Sequence, residues 1–464
     1  KETNSSGSAI SSTTEVLKRT TIHVTGSLNT GYNTLTIKVA GTNFTSGNTY
    51  TVNANTEVKT TAVANTYNIT YNLNGGTQGA NAPTNGTYNA DVEISNPSKV
   101  GYTFAGWTSS TSDGLGSNAK AGANANPSSA WSGGATLGTY FRNLTDTNNG
   151  SVKLTAVWTA NTYKVEFYQG NNTTTAGATK LGEQTFTYGV AQNLTTYNTL
   201  GGTAPQSWVF NGWSANNGTT ATTRTYTDGQ SVNNLSTANN GVIKVYAIFS
   251  RTIKFNSGVD CAATSTAEQR YNPYKTTGSI TAVSAPAPSM TGIANGWSAI
   301  GYRANKTAAN RTYAVTTTAA NITPAYNVYD VTTATSNIVN LYAVYSRTVT
   351  LYHGLAKAET AELTQYLNTN AHTVSNISAP APSVTGLSEY GWSALGYRAN
   401  TTASTAAYTV TTANANIKPA YNVANTLYAV YNRDLSMAYN GNGATGGETA
   451  SHTSKQYYNT NGGK

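Results

Sequence analysis

Gly391-Trp392-Ser393-Ala394-Leu395-Gly396-Tyr397-Arg398 returns almost unchanged at Gly296-Trp297-Ser298-Ala299-Ile300-Gly301-Tyr302-Arg303. Looser copies end in Gly106-Trp107, within GYTFAGW from Gly101, and in Gly212-Trp213, within SWVFNGW. Aligned on their Gly-Trp pairs, these stretches put Trp107, Trp213, Trp297 and Trp392 at one point of a recurring unit. Repetition of this kind fixes architecture before any local pattern does. Glycine allows close backbone approach and tryptophan fills the core of a small domain, so the four are expected as module core. Exposed, the same indoles would form a platform for sugars.

The unit extends outward from this stretch. Tyr67, Ile69, Tyr71 and Leu73 alternate with Asn68, Thr70 and Asn72, the period-2 pattern of a strand with one buried face. Asn74-Gly75-Gly76 breaks that strand, GYTFAGW follows, and Leu154-Thr155-Ala156-Val157-Trp158 closes the unit. Opening strands recur at Tyr67, Tyr163, Ile253, Val349 and Leu435. Their steps are 163−67 = 96, 253−163 = 90, 349−253 = 96 and 435−349 = 86 residues. Each step is long enough for a small core. The third and fourth units also share SAPAPS (284–289 and 378–383) and PAYNV (324–328 and 419–423).

Seven segments result: an extended tail 1–14, a small β domain 15–64, modules 65–160, 161–250, 251–346 and 347–432, and an incomplete fifth module 433–464. Joins of a few residues restrict hinge motion, so the expectation is a tandem array of small β modules forming an extended rod. In the 15–64 domain the strand candidates are Val16-Leu17 through Val24, Leu35–Val39, Tyr50–Val52 and Val58–Val63. The fifth module offers Leu435, Met437 and Tyr439 as an unaccompanied opening strand, which would leave an unpaired edge and a bare apolar face.

Composition supports an all-β chain. Only 10% of the 464 residues are charged, and 32 tyrosines outnumber 8 phenylalanines. Thr and Tyr suit half-exposed strands, and Asn and Gly suit turns. A net charge of +9 without Lys/Arg runs argues against nucleic acid. No stretch approaches the apolar length of a membrane helix. One cysteine, Cys261, rules out a disulfide framework within the chain. The four histidines lack metal-ligand spacing, and no nucleophile–base constellation is visible, so no cofactor, metal site or enzymatic activity is expected. Arg303 and Arg398 are expected to pair with a tyrosine face or a carbonyl. A Lys–Asn cross-link would need a buried lysine beside a carboxylate.

The opening strand, Asn-Gly-Gly turn, GYTFAGW and closing LTAVW or LYAVY together resemble the Listeria–Bacteroides repeat family, of which the internalin B-repeat is the familiar member. The resemblance covers roughly 65–432 and is tightest from Tyr67 to Trp158. It implies β-grasp-like modules on secreted bacterial surface proteins, used as stalks or adhesive segments, and brings no catalytic residues. The expected function is an extracellular structural or adhesive repeat protein of a cell surface. Its expected partners are other copies, joined head to tail, or a host or cell-surface ligand. In a fibre, a neighbour's N-terminus around Val16 and Leu17 would complete the strand of Leu435, Met437 and Tyr439. The alternatives are a carbohydrate-binding array and the stalk fragment of a larger adhesin.

Overall fold

The computed structural model describes the chain apart from residues 1, 4–8, 11–14, 171–178, 217–221, 274–278, 294–295, 329–336, 371–372, 444, 448–450 and 463–464. Most of the expected 1–14 tail lies outside the described residues. The fold is all-β, and the described residues contain no α-helix. Two compact units are present. One comprises Lys1–Val165, Glu183–Leu194 and Ser231–Ile243, and the other Glu166–Gly182, Thr195–Gln230 and Lys244–Lys464.

The module starting at residue 65 shows the building plan. Its opening strand Thr66–Asn72 lies parallel to the closing strand Gly150–Ala160, with Tyr67 opposite Gly150. Tyr102–Thr108 runs antiparallel along the far side of the closing strand. A second sheet of Asp91–Glu93, Tyr140–Arg142 and Lys120–Gly122 covers it. Alternation along the strands sends Tyr67, Ile69, Val152, Leu154 and Ala156 inward against Val92, Ile94, Phe141 and Trp107.

Each copy of the repeated strand contains a β-bulge at a glycine. The register slips between Phe104 and Gly106, Phe210 and Gly212, Ala299 and Gly301, and Ala394 and Gly396. These glycines have φ between 131° and 142°, a conformation that L side chains rarely adopt. The bulge therefore corrects the alignment made on Gly-Trp. The equivalent glycines are Gly106, Gly212, Gly301 and Gly396, so Trp107 and Trp213 correspond to Tyr302 and Tyr397. Trp297 and Trp392 sit five residues earlier, alongside Tyr102 and Trp208. The residue before each, Gly101, Ser207, Gly296 and Gly391, also has a positive φ.

All four of Trp107, Trp213, Trp297 and Trp392 are buried, the first two completely. Where tyrosine replaces tryptophan, the SAPAPS stretch supplies its acceptor. The Tyr302 and Tyr397 hydroxyls donate to the Pro286 and Pro380 carbonyls, each at 3.0 Å. The hydroxyls of Tyr345 and Tyr431 donate to Ser289 and Ser383 carbonyls at 2.6 and 2.9 Å. The first two residues of SAPAPS thus end a small strand, Val283–Ala285 or Ile377–Ala379, whose partner lies at Ala320–Ile322 or Ala415–Ile417, and the residues after it satisfy the buried phenols.

Two expectations are corrected. The first strand of the 15–64 domain is Thr20–Val24, and Val16 and Leu17 precede it outside any strand. Leu17 is 84% exposed, because residues 18–19 turn the chain before pairing begins. The strand at Leu435 is also accompanied. Thr426–Met437 pairs antiparallel with His452–Asn459 from Val430↔Asn459 to Met437↔His452. Tyr458 is buried in the core of the preceding module.

Gly396→Ala would drive its Cβ into the Tyr408 carbonyl oxygen at a backbone angle hostile to alanine. Chemical denaturation is expected to show a loss of about 3 kcal/mol. Alkali should also unfold the modules. Burial pushes the Tyr67 and Tyr302 phenols up to about 12. Their stabilisation is full below the unfolded value of about 10 and is lost as pH rises through about 12. Urea midpoints should hold to about pH 10 and fall above it.

Candidate functional site: the joints between modules

The position two residues before each opening-strand landmark holds Asn65, Asn161, Arg251, Arg347 or Arg433. These five residues occupy the joints, and they fall into two chemical kinds.

The asparagine joints lie in the first compact unit. The Asn65 amide donates to the Asp146 carbonyl at 2.7 Å, and that of Asn161 to the Thr237 carbonyl at 2.8 Å. Their backbone N–H groups donate back to Gly31 and Gly101 carbonyls. Their carbonyls accept from Tyr88 and Tyr188 N–H groups at 2.8 Å. A ring pair flanks each: Tyr32 meets Tyr88 edge-on at 5.8 Å, and Tyr102 meets Tyr188 at 5.6 Å. Gly31-Tyr32 is thus the counterpart of Gly101-Tyr102, which relates the 15–64 domain to the modules. The chain leaves the strand conformation at Asn65 and Asn161.

The arginine joints lie in the second unit, where the strand does not break. Gly241–Ser257, Ile338–His353 and Thr426–Met437 each run from a closing strand straight into the next opening strand. Arg251 is 1% exposed, with its guanidinium 4.3 Å from the Trp208 ring centre. Its five N–H donors meet the Gln269 side-chain oxygen and the carbonyls of Pro324, Ala325, Tyr326 and Val328 at 2.6–3.2 Å. Gln269 reaches on to the Thr281 and Pro324 carbonyls, and Trp208 donates to Tyr326 at 3.0 Å. The four carbonyls belong to PAYNV.

Arg347 repeats the arrangement. It stacks on Trp297 at 4.5 Å, bonds Gln365, and holds Ala420, Tyr421 and Val423 of the second PAYNV. Gln365 and Trp297 bond Pro419 and Tyr421 carbonyls in turn. Burial pulls both guanidinium groups down to about 10, which leaves them charged at neutral pH. Carbonyl dipoles and an indole face carry that charge. Each arginine therefore couples the tryptophan of one module to the loop of the next.

Arg433 has part of the set. It stacks on Trp392 at 4.7 Å and bonds Gln456 at 2.8 Å and the Tyr390 carbonyl at 3.1 Å. Among the described residues its Nη2 donates to nothing, and neither does the Trp392 indole N–H. Leu435, Met437 and Tyr439 beyond it are 41%, 54% and 53% exposed.

These arginines were not singled out by motif. The available signal was an Arg followed by Gln at the same spacing, 269−251 = 18 and 365−347 = 18. Arg303 and Arg398 instead cap local turns, each donating to a carbonyl, of Asn310 or Thr405, at 3.0 Å. His353 is buried and accepts the Ser383 N–H at Nδ1, and burial pushes its pKa down. The Cys261 thiol is pushed up by burial. No lysine, aspartate or glutamate is among the buried described residues, so the surroundings for a Lys–Asn cross-link are not assembled there. The same residues contain no cluster of three His, Cys, Asp or Glu. Trp297 and Trp392 face guanidinium groups, and Trp107 and Trp213 are enclosed, so none offers a sugar platform.

Arg347→Ala would leave Trp297 uncovered and the Ala420 and Val423 carbonyls unpaired. Chemical denaturation followed by tryptophan fluorescence is expected to show a loss on the order of 3–5 kcal/mol. Arg347→Lys should recover little of it, because an ammonium cannot span the fork.

Residues 67–131 match the family model described as the Listeria-Bacteroides repeat domain. The match runs from the first residues of the opening strand through the GYTFAGW stretch. No curated protein matches the chain. Residues 67–131 are therefore similar to the Listeria–Bacteroides repeat, a unit found in bacterial surface proteins.

Proposed function

We propose that this chain is an extracellular structural and adhesive repeat protein of a bacterial cell surface, with modules coupled into a stiff, extended rod. One observation carries the reading: at three successive joints a strand passes unbroken from one module to the next beside an arginine stacked on tryptophan. Bending there would strip ladder bonds and expose a guanidinium held by carbonyls, so each joint resists rotation. The asparagine joints resist it less, since their strands break.

The mixed sheet, with parallel opening and closing strands, supports a β-grasp-like description of the module. The role is mechanical rather than catalytic, because the two buried arginines are engaged in holding loops. The partners fitting this role are further copies or a cell-surface ligand at an end of the array.

Small-angle scattering of dilute monomer tests the proposal. A rod-like profile is expected, with a broadened distance distribution when Arg251 and Arg347 are both changed to alanine. A globular wild-type profile would contradict it.

A further inference from the structure

We propose that the modules carry tension along the chain: load enters a module through its opening strand, leaves through the parallel closing strand beside it, and pulls the ladder between them in shear. The proposal concerns stretching, whereas the rod reading concerns bending, and it holds whether or not the joints are stiff.

Opening and closing strands are joined to neighbouring modules at opposite ends. In the module starting at residue 65 the chain enters at Thr66 and departs at Ala160, and Thr66–Asn72 lies parallel to Gly150–Ala160. Tension therefore draws two parallel strands past each other. Six paired positions, from Tyr67↔Gly150 to Asn72↔Thr155, resist together. Thr252–Asn256 against Ile338–Tyr342 supplies five such positions, and Thr350–Tyr352 against Thr426–Tyr428 supplies three. An antiparallel hairpin loaded through its two free ends would open one pair at a time. The antiparallel neighbours of the opening strands, Ala263–Asn272 and Glu359–Asn368, lie off the load path.

The second compact unit places these ladders in series. The 16-residue strand Ile338–His353 is the exit of one ladder at Ile338–Tyr342 and the entrance of the next at Thr350–Tyr352. No loop lies between the two to lengthen first.

Each ladder is also shielded or fastened. Tyr67, Ile69, Val152 and Leu154 belong to the core, so water is kept from one face of the first ladder. Side chains tie the same two strands together. The Asn74 amide donates to the Ala156 carbonyl and the Trp158 indole N–H to the Leu73 carbonyl, both at 2.9 Å. The Asn256 amide donates to the Leu341 carbonyl at 3.2 Å. Tyr352 and Tyr428 stack across their ladder at 5.8 Å, with Lys357 Nζ 5.5 and 5.4 Å from the two ring centres. Forced unfolding is governed by the barrier to opening, and these contacts must break before the strands slide.

Single-molecule force spectroscopy of the intact chain tests this. Two double variants, both carrying Cys261→Ser, load the first ladder through exposed positions. Thr66→Cys with Thr159→Cys takes hold at opposite ends of the strand pair and shears it. Thr66→Cys with Ser151→Cys takes hold at one end and peels it. Opening in either direction releases about 300 Å of chain, which identifies the event. The shear pair is expected to open at several-fold higher force than the peel pair at equal loading rate. Matching urea midpoints of the two variants assign that difference to the direction of load. The unsubstituted chain, pulled from its two ends, should give separate force peaks comparable with the shear pair, and it decides the matter if a variant fails to fold. Equal forces in the two directions, or a wild-type chain that extends without peaks above the peel force, would overturn the proposal. Either result would leave the dilute-monomer scattering profile unchanged, so its failure and that of the rod reading are separable.

Discussion

A buried guanidinium without a carboxylate constrains the second compact unit. Arg251 and Arg347 are charged groups removed from water, a placement that is costly unless every donor is met. Gln269 or Gln365, the carbonyls of PAYNV and a tryptophan face meet that demand together. No single module supplies the full set. The tryptophan comes from the module before the joint, and the glutamine and carbonyls come from the module after it. Satisfying one side chain therefore ties two modules and places the loop between them.

This constraint explains features that look independent in sequence. PAYNV recurs because its backbone must offer carbonyls at fixed positions around the arginine. The strands through Arg251 and Arg347 run unbroken because the arginine must project from a ladder position into that ring. At Asn65 and Asn161 a shorter neutral side chain bonds single carbonyls, the strand breaks, and paired tyrosines fill the space given elsewhere to Arg and Trp. The aromatic exchange at the bulge follows the same logic. Trp107 and Trp213 fill their cores with a large apolar ring, whereas Tyr302 and Tyr397 use a smaller ring and a hydroxyl that SAPAPS satisfies.

The strand class and the recurring landmarks were legible because alternation and closing LTAVW or LYAVY are local signals. The equivalence of the tryptophans was not. Two positive-φ residues, each followed by an aromatic ring, occur five residues apart in every module (Gly at all but Ser207), and Gly-Trp falls on the first pair in two modules and on the second in two others. Only the bulge geometry separates them. The pairing of His452–Asn459 was also hidden, because its Thr, Ser, Lys and Gln residues lack an apolar alternation, and its burial at Tyr458 depends on the module before it. The joints were missed for a related reason. An arginine surrounded by backbone carbonyls leaves no side-chain motif beyond a glutamine at constant spacing.

The account stands on the strand at Arg347 belonging to one cooperative structure shared by two modules. Hydrogen exchange of the intact chain tests it most directly. Amides from Leu341 through Leu351 are predicted to exchange with one common protection, those at Ser346 to Thr348 as slowly as their neighbours on either side. Exchange at the joint about a hundredfold faster than in the flanking segments would show that the modules are hinged there, and would contradict the account.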